Sequence, residues 1–276
     1  KEARRRLKLG SLLPSYFIIV ADNDKSKHNW VFLPGGPGLG SEYFLPYLNS
    51  ITLPGAVWRL DYSGDGSNRI NNYENFSIKK SELVTALSEL QNVILVAHYF
   101  SGNFALTVPE LDTVLDALVI MDGTPNNKWQ SNLPERERLY DLNSRGKLKD
   151  AYNQNRTDET LREYTLANWQ FFISNDYEQE AKKLLDDLPY NHVPFDWAYK
   201  DFYPHHHDCW IPQHLPTLIL AGSDDVIMPL ENFTKDKRFL RNNICLKEIK
   251  DASHFPWIEQ PDAVTNALVS FHKGLK

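Results

Sequence analysis

Val93-Ile94-Leu95-Val96-Ala97-His98-Tyr99-Phe100-Ser101-Gly102-Asn103 begins as an unbroken apolar run rich in β-branched residues and ends in small ones. The run predicts a strand buried on both faces. The small residues predict a sharp turn from that strand into a helix, a bend that lifts one side chain above the end of a sheet. Such a bend crowds the positions two before and two after the lifted side chain. Ala97 and Ser101 suit those positions, so Tyr99 stands at the tip. With Ser101 at the tip, Tyr99 and Asn103 would be too large for the crowded positions, so Ser101 reads as a support of the bend.

Similar short apolar runs lie on either side, at Tyr16–Ala21, Trp30–Leu33, Ala56–Asp61, Ala117–Met121, Thr217–Ala221 and Ile244–Ile249. Amphipathic stretches such as Ser77–Gln91 and Asp262–Leu275 separate them, with Ile78, Leu83, Ala86, Leu87 and Leu90 on one stripe of the first. Strand and helix in alternation predict an α/β fold with a mostly parallel central sheet. From Pro125 to Pro216 the strand signal stops, and helices are expected near Glu135–Arg145, Thr157–Ser174 and Asp176–Leu188. The expected organisation is therefore a core of residues 1–124 and 215–276, with a helical lid of residues 125–214 inserted before the penultimate strand. Ligands of open α/β sheets bind at the carboxyl ends of the strands, where such a lid would sit.

Four more motifs follow strand ends. Pro34-Gly35-Gly36-Pro37-Gly38-Leu39-Gly40 is a glycine-rich loop whose amides can approach a substrate oxygen closely. Asp61-Tyr62-Ser63-Gly64-Asp65-Gly66-Ser67 reads as a turn in which Ser63 or Asp65 bonds backbone. Gly222-Ser223-Asp224-Asp225 and Asp251-Ala252-Ser253-His254-Phe255-Pro256-Trp257 then bring a carboxylate and an imidazole, the pair that general acid–base chemistry uses near neutral pH. Asp122, at the end of Ala117–Met121, is a second strand-end acid, and turn amides are its expected partners.

In this order, the five motifs resemble those of the α/β-hydrolase family, and in particular its proline iminopeptidase-like members. The resemblance implies an α/β-hydrolase fold and hydrolysis of a small ester, amide or peptide through a Ser-His-Asp type triad. It implies His254 as general base, Asp225 as its orienting acid, and the N–H groups of Gly36 and Phe100 as an oxyanion hole. Trp169 and Trp257 are expected at the substrate pocket. Two positions depart from the family pattern: Pro34 stands where histidine is usual, and Tyr99 where serine, or sometimes cysteine or aspartate, is usual. A phenol reaches several ångströms beyond a serine hydroxyl, fills the acyl pocket, and ionises only near pH 10. Two alternatives therefore accompany the hydrolase reading. One is a non-hydrolytic ligand-binding or sensing member of the fold; the other is lyase- or oxygenase-type chemistry with His254 as the base.

Composition narrows the partners. A net charge of −6 disfavours nucleic acid. Two cysteines, Cys209 and Cys245, form no framework or CxxC pair, which suits a reducing, cytoplasmic setting. The start, basic over Lys1–Lys8 and mostly apolar over Leu9–Ala21, is interrupted by Pro14, Ser15 and Tyr16, so Ser15–Ala21 reads as a first strand rather than part of a signal segment. No apolar run is long enough to span a membrane. His205-His206-His207 are consecutive, so their side chains diverge, and no metal or cofactor is expected.

Overall fold

The computed structural model describes residues 6–8, 16–66, 68, 76–134 and 143–275. Among the described residues, eight strands form one sheet: β1 (Arg6–Lys8), β2 (Tyr16–Ala21), β3 (Asn29–Leu33), β4 (Ala56–Asp61), β5 (Val93–His98), β6 (Ala117–Met121), β7 (Thr217–Gly222) and β8 (Ile244–Ile249). Their order is β1-β2-β4-β3-β5-β6-β7-β8. The pairs β1/β2 and β2/β4 are antiparallel, and every later pairing is parallel. β1 lies in the stretch Lys1–Lys8, which carries no apolar pattern; as a three-residue edge strand it needs none.

The expected alternation of strand and helix is present, and the central apolar runs, β3 to β7, are buried on both faces. Val31, Leu95, Leu118 and Ile219 pack into one core layer, while their neighbours Phe32, Val96, Val119 and Leu220 pack into the other. Period-two alternation in a doubly covered sheet explains why these strands read as continuous hydrophobic runs. β8, at the edge, buries only its two ends.

Between β6 and β7 lie the helices Asn143–Gln154, Asp158–Ala167, Trp169–Phe172, Glu178–Asp186 and His192–Trp197, followed by a π-helical turn, Ala198–Phe202. The helix expected near Glu135–Arg145 falls partly on residues 135–142, outside those described. Thr157 starts its helix with a reciprocal cap on Thr160, the local reason for the boundary there. Backbone bonds fix this segment over the carboxyl ends of the strands. Phe172 C=O accepts the N–H groups of His254 and Phe255 at 3.0 and 3.2 Å, and Asn191 N–H donates to Gly38 C=O at 2.8 Å. Among the described residues, no helix is long and apolar enough to cross a membrane.

Candidate active site

The parallel register sets Leu33 beside Ala97, His98 beside Met121, and Gly222 beside Ile249. The loops that leave these strands therefore meet above the carboxyl edge of the sheet. Tyr99 joins β5 to the helix Phe100–Ala105 with φ 56° and ψ −120°. A non-glycine residue holds this left-handed backbone only when its surroundings impose it. Here Tyr99 N–H donates to Met121 C=O at 3.0 Å, and Tyr99 C=O accepts Asn103 N–H at 3.2 Å. Ser101 is fully buried; its hydroxyl donates to Pro34 C=O and accepts from Tyr62 Oη at 2.7 Å. It pins the glycine loop to the elbow. A Cβ on Gly35 would come within 2.5 Å of Tyr99 Cβ, so a side chain there would drive the loop off the elbow.

The glycine loop is carried from below by Asp65. Its Oδ1 accepts the N–H groups of Gly38, Gly40 and Gly66 at 3.0, 3.0 and 2.8 Å, and Asp61 Oδ1 takes Ser41 N–H at 2.8 Å. Burial pushes Asp65 up to about 6, against the pull of Lys79 and the amides. It pushes Asp61 up to about 8, with help from the Glu42 and Asp65 charges.

Across the site, His254 Nδ1 lies 2.8 Å from Asp225 Oδ2, both side chains wholly buried. Asp225 Oδ1 accepts from the N–H groups of Ile227 and Met228 at 2.8 and 2.9 Å. Burial opposes the Asp225 charge, but the adjoining His254, Asp122 and Met228 N–H outweigh it and hold the carboxyl well below the usual carboxylate range. An ionised Asp225 only accepts, so Nδ1 of His254 carries the proton and Nε2 is left as the basic nitrogen. Gly222 lets the two loops close: a Cβ there would meet the carbonyl oxygens of Ser253 and Ala252 at 2.2 and 2.3 Å. Asp122 Oδ2 accepts Gly222 N–H at 3.1 Å, the turn amide expected of it. Asp122, Asp225 and His254 also converge, with one polar atom from each within 4.8 Å of the others. Burial first, and then the Asp225 charge, pushes Asp122 well above the usual carboxylate range.

His98 and Tyr43 tie the His254 loop to the glycine loop, a connection that the sequence motifs do not announce. His98 Nε2–H donates to His254 C=O at 2.8 Å, so its Nδ1 accepts from Tyr43 Oη at 2.8 Å, and that oxygen in turn accepts Gly35 N–H. Burial, then the neighbouring His254, pushes His98 well below the ordinary histidine range, which keeps the ring neutral and able to do both.

Tyr99 does not bond to His254. Its ring stands edge-on to the imidazole with centroids 4.6 Å apart, and its hydroxyl lies 3.2 Å from Tyr199 Oη in the π-helical turn. His254 Nε2 has no hydrogen-bond partner among the described residues. Burial pushes the Tyr99 phenol well above its ordinary value, so phenolate is even less accessible than in water. A cavity of about 110 Å³ adjoins the ring, bordered by Gly36, Tyr99, Phe171, Phe172, Tyr199 and Ile227.

Of the residues singled out by sequence, Tyr99, Gly36, His254 and Asp225 come together here. Phe100 begins its helix, so its N–H is among those with no partner inside the helix, while its ring packs away from the site on Phe104 and Phe202. Trp257 and Trp169 do not border the cavity. Trp257 is stacked on Tyr43 beneath the glycine loop, and Trp169 is buried among the helices with Lys182 over its ring. An aromatic residue marks apolar burial, and its identity alone does not say on which side of a loop or helix it is buried. His206 points inward against Phe202 while His205 and His207 are exposed, the divergence expected of consecutive residues.

A family model described as "Alpha/beta hydrolase family" matches residues 30–267. The chain belongs to that family. The fold is shared with a proline iminopeptidase-related protein from Thermus thermophilus, at 16% identity and TM-score 0.69, over 100% of this chain and 98% of that one. It is shared with an esterase from Exiguobacterium antarcticum at 17% identity and TM-score 0.65, over 94% and 96% of the two chains. A meta-cleavage product hydrolase from Pseudomonas fluorescens aligns at 15% identity and TM-score 0.64, over 95% and 96%. At such identities the likeness establishes the fold. No curated protein matches the chain in sequence.

Proposed function

We propose that this α/β-hydrolase retains the acid–base half of an acyl-transfer site while Tyr99 closes the nucleophile position, so that in its present form the chain binds a small apolar ligand and does not turn over esters. His254 and Asp225 are the base and its orienting acid, the N–H groups of Gly36 and Phe100 form the oxyanion site, and the segment 125–214 is the lid. The observation that carries this reading is the direction of the Tyr99 hydroxyl, which bonds Tyr199 at 3.2 Å while its ring, not its oxygen, faces His254. A nucleophile must lie within hydrogen-bond reach of its base. The same ring shields His254 Nε2, which disfavours the chain using that nitrogen as a base on a bound substrate. The cavity of about 110 Å³ is below the range of about 300–1,000 Å³ that drug-sized ligands occupy, so the ligand is small.

Replacing Tyr99 by serine tests the reading. With Tyr99→Ser, a fluorophosphonate probe adds one adduct by intact mass and a short-chain p-nitrophenyl ester is cleaved, whereas the parent chain does neither. Labelling of the parent at Tyr99 would make tyrosine the nucleophile. A folded serine variant that stays unlabelled would remove the acyl-transfer site from the account.

A further inference from the structure

At the amino ends of the strands, about 16 Å from the candidate active site by the length of a five-residue strand, two histidines from opposite ends of the chain meet. His28 immediately precedes β3, and His272 lies in the last turn of the helix Pro261–Lys273. His28 Nδ1 and His272 Nε2 are 3.1 Å apart, and Ser26 Oγ is 2.9 and 3.1 Å from them. The three atoms form a nearly equilateral triangle. Ligands held at about 2.0–2.1 Å in a tetrahedron around zinc are separated by about 3.3 Å, so opening the triangle by a few tenths of an ångström admits such an ion. The rings stand at 87° with centroids 4.9 Å apart, so each presents a nitrogen edge to the other.

The outer contact has the form that metal-bound histidines use. Asp116 Oδ2 lies 3.4 Å from His28 Nε2. It draws the His28 proton to that nitrogen and leaves the Nδ1 lone pair directed into the triangle, the carboxylate–histidine–metal arrangement. Burial lowers the pKa of both histidines; for His28 the Asp116 charge opposes this and Lys27 adds to it, and for His272 the His28 ring adds to it. Neutral imidazole is the ligating form. Lys27 is the charge that opposes a cation here, and Asp116 is the one that favours it.

We propose that His28, His272 and Ser26 form a binding site for a divalent transition metal of the zinc class, with Asp116 as the outer carboxylate, and that the ion clips the last helix to the start of β3. Two imidazoles suit zinc, nickel or copper, the Ser26 hydroxyl, which also accepts His28 N–H at 3.2 Å, is a weak third oxygen donor, and a solvent molecule would complete the tetrahedron.

Isothermal titration calorimetry with zinc chloride on the untagged chain at pH 7.5 tests the site. One ion per chain is expected, together with a rise in Tm that grows with zinc concentration. His272→Gln, at a partly exposed position in the last turn, should weaken binding at least about tenfold and abolish the Tm rise, and Asp116→Asn should weaken it about tenfold. The double variant His205→Gln/His207→Gln should bind as the parent does. Absence of binding, binding that survives His272→Gln in a chain with unchanged circular dichroism, or binding lost in the His205/His207 variant would each overturn the proposal.

Discussion

The two walls of the candidate site follow different logic. On the His254 wall, backbone and side chains are committed together: Asp225 accepts two amides and the imidazole proton, Asp122 backs it, and His98 holds the His254 carbonyl. On the Tyr99 wall, the elbow keeps its strained φ of 56° and its bond to Met121, yet the side chain turns away to Tyr199. The contrast separates two things that a motif joins. The elbow's backbone is imposed by sheet register, by the close pass of Gly35 and by the Ser101 contacts, none of which involve the side-chain oxygen at position 99. A tyrosine can therefore occupy the bend without dismantling it. The His254 wall has no such slack, since each partner fixes the next through a hydrogen bond.

If that division holds, the largest effect comes from breaking the His254 wall in a chain whose other wall has been restored. In the Tyr99→Ser background, Asp225→Asn should lower the rate of fluorophosphonate labelling by about 10³- to 10⁴-fold, because an amide donating to Nδ1 moves the imidazole proton to Nε2 and leaves no base facing the serine. The check is a labelling time course by intact mass. An unchanged rate would mean that His254 does not act through Asp225.

Next in size is the carboxylate under the glycine loop, whose protonation runs opposite to that of Asp225. Asp225 is depressed in the folded chain, so its contribution to stability is present above the ordinary carboxylate range and fades as acid protonates it. Asp65 is raised to about 6, so the folded state favours its neutral form; that contribution is full below about pH 4 and is lost as pH rises through 6. Since the acceptor oxygen rather than the charge holds Gly38, Gly40 and Gly66, Asp65→Asn should keep the fold within about 1 kcal/mol and flatten urea stability between about pH 4 and 6. Asp65→Ala strands three buried amides and should cost about 3 kcal/mol or more. If Asn proves as damaging as Ala, the charge is what the loop needs.

Much of this was legible in the chain itself, and the reasons differ by residue. Strand positions followed from runs of apolar residues because a sheet covered on both faces tolerates nothing else, and Tyr99, Asp225 and His254 could be assigned to the ends of such strands. Arg6–Lys8 left no mark, because a three-residue edge strand buries no pattern. Asp65 reads as a turn-former, and it does bond Gly66, but its hold on Gly38 and Gly40 crosses more than 20 residues and depends on how the sheet aligns two loops. Trp257 and Trp169 show the reverse failure: their apolarity was readable, the side on which it is buried was not. The link through Tyr43 and His98 joins positions 55 residues apart by one proton each, which no local spacing encodes.

That link gives the smallest effect and the finest probe of how the two walls communicate. Tyr43→Phe removes one oxygen from a fully packed site, leaving Gly35 N–H without its acceptor and His98 Nδ1 without its donor. Two neutral buried groups left unpaired cost about 2 kcal/mol or more, readable as a lower urea midpoint with an unchanged m-value. In the Tyr99→Ser background the same change should slow labelling only several-fold, because His98 Nε2 still holds the His254 carbonyl while the Gly35 amide, next to Gly36 of the proposed oxyanion site, loses its anchor. A loss of labelling as large as that of Asp225→Asn would mean that the walls are one unit, with the proton chain through Tyr43 setting the base as well as the loop. No slowing, with the stability loss intact, would leave the link as architecture and confine the chemistry to His254, Asp225 and the residue at the bend.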